Sequence, residues 1–469
     1  MTFARYLSRS LLHYRFAYLG VLAGAVLGAT VLLGALFAGD SVAASLRRIG
    51  EQRIGRTTHV LSGGDRFFRQ ALAENFTAAA NVRTAPVLLA RGTATHSTSR
   101  AAANQVQLVG VTTAFWSFAP APISVPLDAA SSKVAVNATF ARRMNAAVGD
   151  TVVVRLQKPG ILAGNAPVAG AEASLQSIRC TVAAIVDDSS FGRFSLEATQ
   201  VPSPSVFLPM GLLQENLNQP ARANVLLIDA ATHVGPAFAA GPSREGRDGR
   251  DGLPASGDPT PILLSALAKT MQLADYGLAL KWLERAGVFE LTSDRIFLDP
   301  ELAAAATTAV PAAQPVVSYL VNEFRTGDRS TPYSIATATT RAAAPFLPAD
   351  LGAREVVLNG WLAEDLEAAA GDEVRLTYFQ TGAAGALVEA STAFRVRAVI
   401  PLEGLAADRA WMPAFPGISD TNDQSDWDPG LPLDLKRIRP KDEKYWDDHR
   451  GAPKAFLSAE AGREIWATR

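Results

Sequence analysis

Five histidines, one cysteine and one aspartate-rich turn are the groups in this chain that could ligate a metal or attack a substrate. His13, His59, His96, His233 and His449 are scattered, without the close spacing that brings two imidazoles to one ion. Cys180 lies in the apolar stretch IRCTVAAIV, where a thiol packs and stays inert, and a single thiol supplies neither a disulfide framework nor a thiolate metal site. Asp420, Asp423, Asp426 and Asp428, followed by Gly430, offer carboxylate oxygens in a turn, but their spacing is not that of an EF-hand. Lys436, Arg437, Arg439, Lys441 and Lys444 come just after, so pairing between those aspartates and these cations is expected. No lysine follows a glycine, which removes the GxxxxGK phosphate loop, and GxSxG, HExxH and CxxC are absent as well. The expectation is a protein that is not an enzyme, with no catalytic residue, metal or cofactor.

What remains is binding or mechanical work, and the elements that would perform it can be read from apolar patterning. Phe115, Trp116 and Phe118 cluster in TTAFWSFAPAP beside a proline-rich loop, and form either core between a sheet and a helix or an exposed edge for a partner. The segment from Phe16 to Gly39 carries no charge and exceeds the ~30 Å hydrocarbon core of a bilayer at ~1.5 Å per residue. A secretory signal has a shorter apolar centre of about 7–15 residues; here the run leads straight into SVAASLRRIGEQR, although Val42-Ala43-Ala44 leaves cleavage open. Gly20, Gly24 and Gly28 form GxxxGxxxG, a flat strip on which another membrane helix can pack closely. Val42, Leu46 and Ile49 recur at i, i+4 and i+7, so the helix is expected to continue as an amphipathic stalk to Gly50 or Gly55. Arg5, Arg9 and Arg15 before the span are matched by Arg47, Arg48 and Arg53 after it, so the positive-inside count is a tie.

Beyond the stalk, the 469-residue chain has length for two or three domains, and its 48% hydrophobic content marks a folded body. With 44 Lys plus Arg against 45 Asp plus Glu, nothing favours nucleic acid as a partner. The body repeats itself. VAVNATFARRMNAAVGDTVVV (134–154) aligns without gaps onto VVLNGWLAEDLEAAAGDEVRL (356–376), matching Asn137 with Asn359, Gly149 with Gly371 and Asp150 with Asp372. Each copy reads as strand, Asn-capped helix, left-handed Gly-Asp turn and strand. IRCTVAAIVDD (178–188) and FRVRAVIPLEG (394–404) extend the match downstream, and LSGGDRFFRQALAENF (61–76) and LTSDRIFLDPELAAAA (291–306) extend it weakly upstream.

The expected fold class is α+β: one transmembrane helix with a stalk, then a large extracytoplasmic body of two repeated α/β units. The expected division is a cytoplasmic arm (1–15), transmembrane helix (16–39), stalk (40–55), first unit (56–240), Gly/Pro-rich linker (241–261), helical connection (262–286, bent near Tyr276-Gly277), second unit (287–415) and a segment returning to the membrane (416–469).

The arginine-dotted start, the glycine-rich span, GDSVAASLRRIGEQRIGRTTHVLSGGDRFF and the NATFARRMNAAVGDTVVV unit resemble FtsX/MacB-type permeases of ABC transporters, and the repeated unit resembles the MacB-like periplasmic core. VSYLVNEFRTGDRSTPYSIA and DEKYWDDHRGAPKAF resemble a branch of these permeases with long ectodomains. The resemblance implies a bacterial inner-membrane location, a periplasmic body, a separate cytoplasmic ABC ATPase as partner, a second permease copy, and an unidentified periplasmic substrate or partner protein. Such permeases have further membrane helices after the ectodomain, so the chain is read as the amino-terminal part of a longer one. A single-span anchored binding or adaptor protein that needs no ATPase is the other reading.

Overall fold

The computed structural model describes the chain except residues 1–2, 122, 124, 128–130, 158–174, 198–200, 232–258, 295–297, 382–386, 416, 430 and 467–469. Most of the expected linker, 241–258, and His233 therefore lie outside the described residues. The chain opens with helix α1 (Phe3–His13) and, after Tyr14, helix α2 (Arg15–Ile54). α2 runs unbroken for 40 residues, about 60 Å at ~1.5 Å per residue, or twice a bilayer's ~30 Å hydrocarbon thickness. Among the described residues it is the one helix long and apolar enough to cross a membrane. Its second half, charged from Asp40 onward, continues the same rod beyond the apolar segment.

The first unit follows as β1 (His59–Ser62), β2 (Phe68–Arg69), α3 (Leu72–Ala80), β3 (Arg83–His96), β4 (Ala102–Val111), α4 (Thr113–Trp116), β5 (Lys133–Asn137), α5 (Ala138–Met144), β6 (Thr151–Gln157), β7 (Leu175–Val186), β8 (Ser205–Pro209), α6 (Met210–Asn216), β9 (Arg222–Ala223) and β10 (Val225–Asp229). Its large sheet has the order β1-β10-β3-β4-β8-β5-β7-β6, and β6 also pairs back onto β3. Six strands thereby close into a ring, with β10 and β1 added outside it.

A connection of α7 (Thr260–Thr270) and the hairpin β11 (Leu278–Leu283) and β12 (Val288–Ser293) leads through α8 (Pro300–Ala309) to the second unit. That unit comprises β13 (Val316–Thr326), β14 (Arg329–Thr339), β15 (Glu355–Asn359), α9 (Gly360–Leu366), β16 (Glu373–Thr381), β17 (Leu387–Ile400), α10 (Pro440–His449), β18 (Ala455–Ser458) and α11 (Ala459–Trp466). It is a closed barrel of order β13-β14-β18-β15-β17-β16. Strand for strand this is the ring of the first unit, β3-β4-β8-β5-β7-β6, so the duplication covers the whole barrel.

Packing follows the repeat. Val134, Val136, Phe140, Met144, Val152 and Val154 in one core correspond to Val356, Leu358, Leu362, Leu366, Val374 and Leu376 in the other, each 0–1% exposed. Alternate strand positions and one helix face supply these residues, as periods of 2 and 3.6 require. The β5–β7 register slips between Val134 and Ala135, and the β15–β17 register slips at the matching place, between Val356 and Val357.

Three expectations change. The downstream match has its register two residues away from the gapless reading: Thr181 and Arg395 hold the same ladder position, opposite Thr151 and Glu373. A shift of two keeps every side chain on its face, so apolar patterning alone does not detect it. The upstream match has no common pairing, because β1 joins the large sheet whereas β12 pairs within its hairpin. The helical connection at 262–286 is a helix only to Thr270; Gly277, at φ +68, turns the chain into β11. Leu278, Leu280 and Trp282 then alternate along one face of the hairpin, a period-2 pattern within a run that also fits a helix.

Candidate functional site

The stalk enters the body at Gly55. Its φ of +56 suits glycine, and a Cβ there would stand 2.0 Å from the Phe118 carbonyl oxygen and 3.0 Å from the Phe191 ring. The Gly55 N–H donates to the Glu51 carbonyl (2.8 Å) and ends the helix. Arg56 N–H then donates to the Phe118 carbonyl (2.9 Å) and Thr58 N–H to the Ile228 carbonyl (2.9 Å), placing the chain in register for β1 against β10. Four residues thus convert a 40-residue rod into a sheet strand, with little free backbone to absorb movement.

Beneath this turn lies an aromatic cluster. Phe115 stacks on Phe191 (4.8 Å between ring centres) and meets Phe194 edge-on (5.0 Å), and Trp116, Phe118 and Phe207 complete the group. The expected choice for Phe115, Trp116 and Phe118 resolves to core: all three are buried, and the exposed-edge alternative is set aside. Phe191, in the left-handed conformation at φ 78, is held by its neighbour Gly192, whose carbonyl accepts from Asn137 Nδ2 (3.0 Å).

Asn137 therefore does more than cap α5. Its Oδ1 accepts from Phe140 N–H (2.8 Å) and Ser205 N–H (3.1 Å), and its Nδ2 also donates to the Ser203 carbonyl (2.9 Å). Asn359 caps α9 through Leu362 N–H (2.8 Å) and donates to the Pro453 carbonyl (3.2 Å), one residue past Ala452, which holds the position of Ser203. In place of the Gly192 carbonyl it reaches the Tyr445 hydroxyl (3.1 Å). Both α5 and α9 end at a left-handed residue, Asn145 (φ 50) and Glu367 (φ 49), four positions before the Gly-Asp turn. Gly149 (φ +97) and Gly371 (φ +104) hold the following turn, donating to the Val182 and Val396 carbonyls, both at 2.8 Å. Asp150 and Asp372 accept from Ala147 and Ala369 N–H (2.7 and 2.8 Å), and only Asp150 also meets a histidine, His96 Nε2 at 3.2 Å. The Ala147 amide and that His96 contact hold the Asp150 carboxyl below its ordinary range.

The cations after the acidic turn pair elsewhere than expected. Arg439 binds Asp365 (2.6 Å) and Asp442 (2.7 Å), Lys441 binds Asp365, Arg437 binds Glu323, and Lys444 faces Asp448 (3.7 Å). Burial pushes the Asp365 carboxyl upward, but hydrogen bonds from Lys441, Thr331 and Arg439 outweigh it and leave the group below its usual range. The two pairs to Asp365 fasten α10, from the segment between β17 and β18, onto α9. Beside them lies the fully buried Lys454 Nζ, 3.9 Å from the Trp361 ring centre, 4.5 Å from that of Tyr445 and 3.8 Å from Asp442. The connection is tied to the first unit in the same manner: Arg69 clasps the buried Asp275 through Nε (2.9 Å) and Nη2 (2.6 Å).

Among the described residues no three His, Cys, Asp or Glu side chains gather as a metal site. Burial pushes the Cys180 thiol up to about 12, so it stays protonated. Gly20, Gly24 and Gly28 leave open surface on α2, where an added Cβ would meet nothing within 4 Å. Sequence patterning flagged Gly55 and the aromatic cluster separately; their contact, across 63 residues (118 minus 55), is what makes the junction.

A helix long and apolar enough to cross a membrane thus feeds directly into a barrel-based α/β body. Residues 19–237 match the model of the MacB-like periplasmic core domain, the domain that the repeated unit was expected to resemble. Solved structures similar to it include the extracellular domain of the noncanonic ABC-type transporter YknZ from Gram-positive bacteria (9% identity, 34% of this chain and 72% of that one, TM-score 0.23). The periplasmic region of MacB from Actinobacillus actinomycetemcomitans is another (8% identity, 54% and 91%, TM-score 0.28). A domain of a putative permease protein from Porphyromonas gingivalis is a third (14% identity, 52% and 85%, TM-score 0.25). No curated protein matches the chain.

Proposed function

We propose that this protein is a permease subunit of an ABC transporter in a bacterial inner membrane, whose stalk and body move when a separate cytoplasmic ATPase works. The observation that carries the reading is the junction at Gly55, within the family-matched segment 19–237, where one continuous helix joins apolar span to body without a flexible linker. A tether for a passive binding protein needs no such stiffness, which weighs against the anchored-adaptor alternative. The glycine strip would face another membrane helix or a second permease copy. The transported or actuated periplasmic partner is not specified by any group in the chain, so efflux, lipoprotein handling and mechanotransmission share this mechanism.

The test is to purify the affinity-tagged full-length protein from its native membranes in mild detergent and to measure ATP hydrolysis and body movement together. Co-purification of an ATP-hydrolysing subunit, with a change in distance between spin labels on α2 and on the second barrel upon adding ATP and vanadate, is the expected result. A chain that purifies with no ATPase activity and shows no nucleotide-dependent change leaves the adaptor reading in place.

A further inference from the structure

We propose that α1 is a membrane-surface helix that docks on anionic phospholipid, its apolar stripe in the acyl boundary and its arginines on the phosphates. This rests on α2 crossing a bilayer, as in the function proposed above. At 100° per residue, Leu7 and Leu11 share one face of α1 with Tyr6 at its flank, while Arg9 falls on the opposite side. Leu12 is the one apolar residue off that face. Tyr6 is 66%, Leu7 49% and Leu11 52% exposed, so the stripe has no cover among the described residues.

Two observations say what covers it. The first is continuity: Tyr6, Leu7, Ser10 and Leu11 of α1 and Tyr18 of α2 border one concave notch of about 290 Å³. Tyr14, at φ −97 and ψ 21, interrupts the helix between them, and α2's charge-free segment begins two residues later. Lipid that surrounds the start of α2 therefore meets the apolar stripe of α1 first. The second is charge: residues 1–39 contain Arg5, Arg9 and Arg15 and no aspartate or glutamate. Near an anionic leaflet each such cation is drawn to the surface, whereas a zwitterionic surface offers no comparable attraction. An apolar stripe with basic residues opposite is the composition that seats a helix in the interface plane.

The experiment uses the full chain reconstituted in phosphatidylcholine vesicles with and without phosphatidylglycerol, spin-labelled at one introduced cysteine: Leu11→Cys, Arg9→Cys or Leu27→Cys. The native Cys180 is 1% exposed and does not compete for label. Collision with oxygen, which partitions into lipid, is compared with collision with a water-soluble nickel chelate present on both sides of the bilayer. The Leu27 label should read as lipid-buried, the Leu11 label as lipid-facing and the Arg9 label as water-facing, with the oxygen-to-nickel ratio at Leu11 several-fold higher when phosphatidylglycerol is present. A second measurement replaces Arg5, Arg9 and Arg15 by Gln behind the Leu11 label, which should abolish the dependence on phosphatidylglycerol. If Leu27 is lipid-buried while Leu11 and Arg9 are equally wet, or if Leu11 reads the same in both vesicles, the inference falls and the proposed function stands. If Leu27 itself is wet, α2 does not span and both fall.

Discussion

Lys454 is the residue whose placement has the clearest energetic consequence. Burial drives its ammonium down from 10.5 to about 7, with Asp442 and Asp365 pulling the other way. A base whose pKa is lower in the folded state binds fewer protons there than when unfolded. Between about pH 7 and 10.5 the unfolded chain therefore holds the extra proton, stability rises with pH across that window, and the full penalty is present below pH 7. Lys454→Met keeps the packing against Trp361 and Tyr445 and leaves Asp442 its bond to Arg439 (2.7 Å). The variant is expected to be more stable at pH 6, by about 1–4 kcal/mol on the scale seen when buried ions are replaced by apolar groups, and to have a flatter stability profile up to pH 10. Thermal unfolding of the full chain across that range is the measurement, and a variant less stable at pH 6 would contradict the account. Gly149 and Gly371 offer a paired test. Both hold positive φ with open space around the missing Cβ, so valine at either acts through backbone strain alone. Each substitution should cost on the order of 1–2 kcal/mol, and unequal losses would mean that the two turns differ in role. Asn137 and Asn359 were readable as caps because a cap is local; their bonds to Gly192 and Tyr445 lie 55 and 86 positions away and leave no trace in spacing.

At the level of elements, apolar patterning identified α2 and the repeated strand–helix–strand unit because each buries or exposes a whole face. It failed for 278–286, where ALKWL fits either period, and a left-handed glycine decided in favour of the hairpin. The junction shows what an element boundary can do. Gly55→Ala puts a methyl where the Phe118 carbonyl oxygen stands, 2.0 Å away, so either the stalk or the aromatic cluster must shift. The expected outcome is a body that still folds, a loosened junction, and protease cleavage at Arg53 or Arg56 that is at least several-fold faster than in the parent chain; unchanged cleavage would show that the close contact is unimportant. The glycine strip is tested separately. Gly24→Leu or Gly28→Leu should weaken helix association in the membrane by about 1–2 kcal/mol while leaving unfolding of the body unchanged. Retention of full assembly by both variants would reduce the strip to composition.

For the molecule as a whole, the two barrels share order, bulge and core, yet only the first carries the additional strands β1 and β10 that receive the stalk. The two copies therefore differ in what they carry: one joins α2, and the other bears the α10 segment fastened by its ion pairs. Among the described residues the one spanning candidate precedes both barrels, and the proposed function places both on one side of the bilayer. Arginine counts do not choose the side, being equal before and after the span. The function proposed above puts the short arm in the cytoplasm and the body of two barrels outside. A fluorescent protein that matures only in the cytoplasm, fused after Arg469, is expected to be dark, and alkaline phosphatase fused at the same place, active only outside, is expected to be bright. The reverse pattern would put the body in the cytoplasm, remove the periplasmic partner from the proposal, and require the ATPase to meet the barrels directly.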